Sequence, residues 1–137
     1  MDTYNWGEDE RMPRQTISTD KAPRPAGVYS QGVQWERLIF TAGQVGIYPA
    51  TGQAVPGGVR EQTRQVLQNV TAILEAAGTS LDNVVKTTCF LADINDFGAF
   101  NEVYREFFPT DPPARSTVQV GLVPPWLVEI EAVAVRP

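Results

Sequence analysis

Two short stretches carry side chains that could act on a substrate together: "PPARSTVQV" over Pro112–Val120 and "LVEIEAVAV" over Leu127–Val135. Both alternate as strands do, and a strand sends successive side chains to opposite faces. Arg115, Thr117 and Gln119 therefore share the polar side of the first, with Ser116, Val118 and Val120 on the other. In the second, Glu129 and Glu131 share a side with Val133 and Val135. Read as neighbouring strands, the two set a guanidinium across from two carboxylates. One outcome is a structural cross-strand ion pair worth about 0.2–1 kcal/mol. The other is a pocket that grips an anion: one arginine cannot satisfy both acids, so a surplus carboxylate is left to titrate or to hold a water. Spacing alone leaves both readings open.

Other residues compete for a place in such a site. Gly43 interrupts the strand-like "FTAGQVG", which marks either a bulge or the close approach of a ligand to the backbone. Tyr29, after the turn-forming "APRPAGV", reads as a core edge in preference to a pocket lid. Asn95 reads as a helix cap, and Cys89 in "TTCFLAD" as a small buried core residue. The chain has no histidine, which excludes Ser-His and Cys-His nucleophile pairs, and no cysteine–carboxylate grouping suggests a metal site. The glycine-rich loops lack the spacing of a phosphate-binding motif. Chemistry falls to Arg, Glu, Asp, Tyr, hydroxyls and backbone amides.

The elements that must position these groups are legible in outline. At 137 residues the chain makes one domain. Residues 1–14, polar and without periodicity, read as a flexible or loosely docked arm ahead of a single domain over residues 15–137. After "QTIST", the segment "VYSQGVQWERLIFTAGQVG" reads as a hairpin with strands near Tyr29–Gln34 and Leu38–Val45. Val59, Val66, Leu67, Val70, Ile73, Leu74 and Ala77 recur at helical spacing, and Gly78 follows where a left-handed residue ends a helix. "NVVKTTCFLADI" reads as an interior strand, and Phe97, Phe100, Val103, Tyr104, Phe107 and Phe108 as a second amphipathic helix capped by Asn95 or Asp96. The two strands of the opening paragraph close the chain across Pro124 and Pro125.

This β-β-β-α-β-α-β-β order implies an α+β fold with both helices on one face of a sheet. Thr41, Gly43, Arg115, Thr117, Glu129 and Glu131 are the candidates for the other face, and the valines among them imply that an oligomer covers it. The net charge of -5 and the lack of a Lys/Arg cluster argue against nucleic acid as a partner. No run approaches the roughly 20 apolar residues of a membrane span. The charged opening residues do not read as a signal peptide, and a single cysteine fits a reducing compartment, so the expected location is the cytoplasm.

Taken in order, "GVYSQGV", "FTAGQVG", "NVVKTTCFLADINDF", "NEVYREFF", "PPARSTVQV" and "VEIEAVAV" closely resemble the RidA (YjgF) family of enamine/imine deaminases, from about Ile17 to Arg136. The resemblance implies a chorismate-mutase-like fold assembled as a homotrimer around a central barrel, with three sites in the clefts between subunits. It implies that Arg115 grips the carboxylate of a 2-imino or 2-enamino acid, that Glu129 activates water, and that Tyr29 of a neighbouring subunit closes the pocket. Backbone amides at Gly43 and Thr117 would help hold the carboxylate, and Asn95 belongs to a motif near the site. No metal and no organic cofactor are implied. The products would be a 2-keto acid and ammonia. Val28, Thr117, Gln119 and the short turn carrying Trp126 depart from common family patterns. The altered turn and the extra N-terminal arm motivate one alternative, a relative specialised for 2-aminomuconate, aminoacrylate or a secondary-metabolite intermediate; a second alternative is a non-enzymatic trimer that binds keto acids.

Overall fold

The apolar stripe beginning at Val59 folds as helix α1 (Val59–Ala76), and the phenylalanine-rich stripe as α2 (Phe97–Phe107). The structure, a computed structural model, describes residues 14–137. Its strands are β1 (Arg14–Ile17), β2 (Gly32–Trp35), β3 (Leu38–Thr41), β4 (Val84–Leu91), β5 (Ala114–Gln119) and β6 (Val128–Val135). They form one mixed sheet in the order β1-β2-β3-β6-β4-β5. The arm expected over residues 1–14 lies outside the described residues, except Arg14, which opens β1 opposite Trp35.

Helix α1 ends as its sequence requires. Gly78 takes φ +81, Thr79 N–H donates to Leu74 O and Gly78 N–H to Glu75 O, the paired bonds of a Schellman stop. At the other end Gly58 N–H is capped by Glu61 Oε2 at 2.8 Å. Val66, Leu67, Val70, Ile73 and Leu74 are buried against Ile39, Leu91, Val128, Ile130 and Ala134, and Phe100, Tyr104 and Phe108 of α2 complete the core. Each such aliphatic contributes about 1.5–3 kcal/mol through burial. Both helices pack on one face of the sheet, as the element order implies.

The strand pairing differs from the expected one. β4, α2 and β5 form a parallel crossover unit, so β5 lies beside β4 at the sheet's edge. β6 inserts between β3 and β4, antiparallel to both. The last two strands are consecutive in sequence but are not neighbours, and a cross-strand pair between Arg115 and Glu129 does not exist. Arg115 is in register with the buried Thr87, and Thr117 with the buried Cys89. The side of β5 that reads as polar thus faces helix α2. Thr41 is also on the covered side, buried, with its Oγ1 accepting from Ala132 N–H at 3.0 Å. Glu129 and Glu131 do lie on the open face, in register with Phe90 and Thr88. Around them Trp35, Leu38, Phe40 and Val118 expose apolar surface.

The hairpin is also shorter than expected. Tyr29 sits in a turn, its N–H bonded to Gly27 O, and β3 stops at Thr41. Between the pairs Phe40–Val133 and Gln44–Ile130, four steps along one strand oppose three along the other. One residue is extra, which is the bulge that Gly43 announced.

Candidate active site

The site residues fall into two groups. The first is built around Glu129. β6 presents it on the open face, half-buried, and the bulge of β3 brings Gly43 beneath it. A Cβ added at Gly43 would lie 2.6 Å from Glu129 Oε2, so only glycine leaves the carboxylate its position. Partial burial, with the nearby Glu131 charge as a lesser cause, holds the Glu129 carboxyl above the usual carboxylate range. Among the described residues Glu129 has no ion-pair partner: the two ion pairs there are Arg60–Glu102 and Arg64–Glu106, both between α1 and α2. A carboxylate with a raised pKa and no cation beside it can accept a proton from water.

Arg115 anchors the second group. Its guanidinium carbon lies 4.7 Å from the Tyr104 ring centre and 5.5 Å from those of Phe97 and Phe100. Nη1 donates to Asn101 Oδ1 at 2.8 Å. Tyr104 is fixed in turn by a 2.7 Å bond between its hydroxyl and Thr87 Oγ1, both residues buried. A cleft of about 350 Å³ opens here between Asn101, Tyr104, Arg105, Phe108, Pro113 and Arg115. Helical spacing assigns Phe97, Phe100 and Tyr104 to the core and gives Asn101 no role. The available signal is a polar residue within an apolar stripe, at i+4 from Phe97 and i−3 from Tyr104.

Thr117 follows on the same strand. Its hydroxyl is buried and makes no hydrogen bond among the described residues. Val120 N–H donates to Leu91 O, so by alternation the Thr117 amide points away from β4, off the free edge of the sheet. What Thr117 can offer a ligand is therefore its backbone. Cys89, beside it, is fully buried, and burial pushes its thiol up to about 11, which makes it a core residue rather than a nucleophile.

Tyr29 and Asn95 join neither group. Tyr29 is 52% exposed, which overturns the core-edge reading, and its hydroxyl accepts from Ala26 N–H at 3.1 Å. Asn95 is exposed near the far end of β5, where Ile94 N–H donates to Gln119 Oε1. It caps nothing: Asp93 Oδ1 accepts from Asn95 N–H, and Asp96 occupies the cap position of α2 without a side-chain bond.

Three buried amides that no spacing pattern singles out hold the loops around these groups. Gln31 bonds Thr19 N–H and O, Ala22 O and Pro23 O, tying down the segment before Tyr29. Asn69 donates to Val45 O and Ile47 O just beyond Gly43. Gln62 bridges Pro125 O and Leu127 N–H at the entry to β6.

Residues 19–136 match the family model described as Endoribonuclease L-PSP. A 2-iminobutanoate/2-iminopropanoate deaminase of Mus musculus is 53% identical over 124 residues, 90% of this chain and 92% of the mouse protein. The chain belongs to the RidA/YjgF family. The solved YjgF gene product of E. coli is 46% identical with a TM-score of 0.85, covering 90% of this chain and 99% of that one. A structure of E. coli TdcF with bound serine is 44% identical, also with a TM-score of 0.85 and with the same coverage. Imine deamination is thus the named activity among RidA/YjgF relatives that match nearly the whole chain. The solved YjgF and TdcF structures share its α+β fold.

Proposed function

We propose that this protein hydrolyses small 2-imino and 2-enamino acids to 2-keto acids and ammonia, as a homotrimer. Arg115 binds the substrate carboxylate through its planar fork, with the outward Thr117 amide beside it. Glu129 takes a proton from a water that attacks the imine carbon. That proton passes to the imine nitrogen to give the neutral tetrahedral carbinolamine, whose hydroxyl proton then moves by way of Glu129 to the same nitrogen; the C–N bond breaks, ammonia leaves, and the carbonyl oxygen of the keto acid comes from the water. Gly43 leaves room for the carboxylate that does this work.

The observation that carries the reading is the division of the site. Arg115 and Glu129 lie on opposite faces of one sheet, each without a counter-ion among the described residues. A second copy seated on the open apolar face would bring its own residues into reach. We therefore assign Arg115 and Glu129 of each site to different subunits, with Tyr29 closing the cleft. The serine held by TdcF supports a small ligand with an amino-acid carboxylate. The family description mentions an endoribonuclease, but a chain with no histidine and a net charge of -5 is poorly equipped to bind and cleave RNA.

An amino-acid oxidase or a threonine dehydratase would supply the imine, with semicarbazide to trap it. The purified protein should suppress the adduct, and Arg115→Ala or Glu129→Gln should abolish suppression without unfolding. Full adduct formation with alanine-, serine- and threonine-derived imines would overturn the broad-specificity reading. Turnover of only a larger imine would favour the specialised one.

A further inference from the structure

The Arg115 guanidinium is held by α2 through a neutral acceptor. Asn101 Oδ1 accepts one Nη1–H at 2.8 Å, and the guanidinium carbon lies over the Tyr104, Phe97 and Phe100 rings. A guanidinium has five N–H donors, so this contact orients the fork without using it up. An aspartate at the same place would make the same bond and cancel the charge. The acids that α2 does carry nearby, Glu102 and Glu106, are engaged by Arg60 and Arg64 of α1. The helix beside Arg115 is thus arranged so that nothing anionic on it competes for the cation.

We infer that Asn101 is a positioning residue: it sets the orientation of Arg115 while leaving its charge uncompensated, and so makes the cleft selective for ligands bearing a carboxylate. This rests on the reading of Arg115 as the carboxylate anchor.

Calorimetric titration separates the two claims. The probes are 2-oxobutanoate and its neutral amide, 2-oxobutanamide, against the wild-type protein and the variants Asn101→Asp, Asn101→Ser and Arg115→Ala. Asn101→Asp should weaken 2-oxobutanoate binding by at least about tenfold, because an internal charge-assisted pair now competes with the ligand. Binding of the amide should not follow. In turnover the same variant should raise KM more than it lowers kcat. Asn101→Ser, which shortens the acceptor without adding charge, should show a smaller, few-fold loss and covers the case in which the aspartate variant does not fold. If Arg115→Ala loses binding while both Asn101 variants bind 2-oxobutanoate as the wild type does, the role of Asn101 is overturned and the anchor stands. If Arg115→Ala also binds like the wild type, the anchor reading falls and takes this inference with it.

Discussion

Arg115 and Glu129 leave the sheet on opposite faces, because Arg115 is in register with Thr87 of β4 and Glu129 with Phe90, two positions that point to opposite sides. Neither therefore stabilises the other within a subunit. Both are left without a counter-ion among the described residues, as the roles proposed for them require.

The pH dependence of turnover should follow Glu129. Its pKa is raised by partial burial and then by Glu131, and the base must be ionised to act. Activity should rise with pH through a value above the usual carboxylate range, and Glu131→Gln should move that limb of the kcat profile to lower pH. The linkage to stability has the matching sign. A folded pKa above the unfolded one favours the native state at pH below the unfolded value, and that contribution is lost as pH rises through the folded one. Glu129→Gln should therefore melt at or above the wild-type temperature at neutral pH, with the difference vanishing in acid. A lower melting temperature at neutral pH would contradict this.

Gly43→Ala should act on catalysis rather than on the fold. The added carbon meets the Glu129 side chain at Oε2, Cδ and Cγ, 2.6, 2.9 and 3.0 Å away, so the side chain must turn aside, at a cost to stability of about 1 kcal/mol. Displaced, Glu129 would no longer be placed for the role proposed for it. A fall in kcat of at least about tenfold is expected, with keto-acid affinity changed far less. Unchanged kcat would show that the fit between Gly43 and Glu129 has no catalytic meaning.

Thr117→Val should raise stability. The Thr117 hydroxyl is buried without a partner among the described residues, and replacing an unsatisfied polar group by an apolar one of the same shape recovers about 1 kcal/mol. Urea denaturation measures it, and a loss of stability would mean that the hydroxyl has a partner in the assembled protein.

Both helices were legible because a 3.6-residue period in Val, Leu, Ile and Phe arises where one side of a helix is buried and rarely elsewhere. The faces of β6 were legible as well, since Val128, Ile130, Ala132 and Ala134 alternate strictly with Glu129, Glu131, Val133 and Val135. The site was half legible. Arg115 and Glu129 stood out by type, but their relation depended on which strands pair, and two strands joined by a proline turn look like a hairpin whether or not a third lies between them. The covered side of β5 was hidden because its occupants, Arg115 and Thr117, are polar, and a guanidinium packed on aromatic rings leaves the same pattern as one in water. Asn101, Gln31, Gln62 and Asn69 were hidden for the same reason. An amide that pins a buried loop differs from a surface amide only in what surrounds it.

Mixing subunits distinguishes a site shared between two copies from one built within a single copy. Arg115→Ala and Glu129→Gln proteins, each inactive alone in the trapping assay, would be co-refolded in equal amounts. If each site takes Arg115 from one subunit and Glu129 from another, a site is intact when both donors are sound, which restores about one quarter of wild-type activity in randomly mixed trimers. Mixed oligomers with no activity above that of the separate variants would show that both residues must come from the same subunit, and would contradict the account.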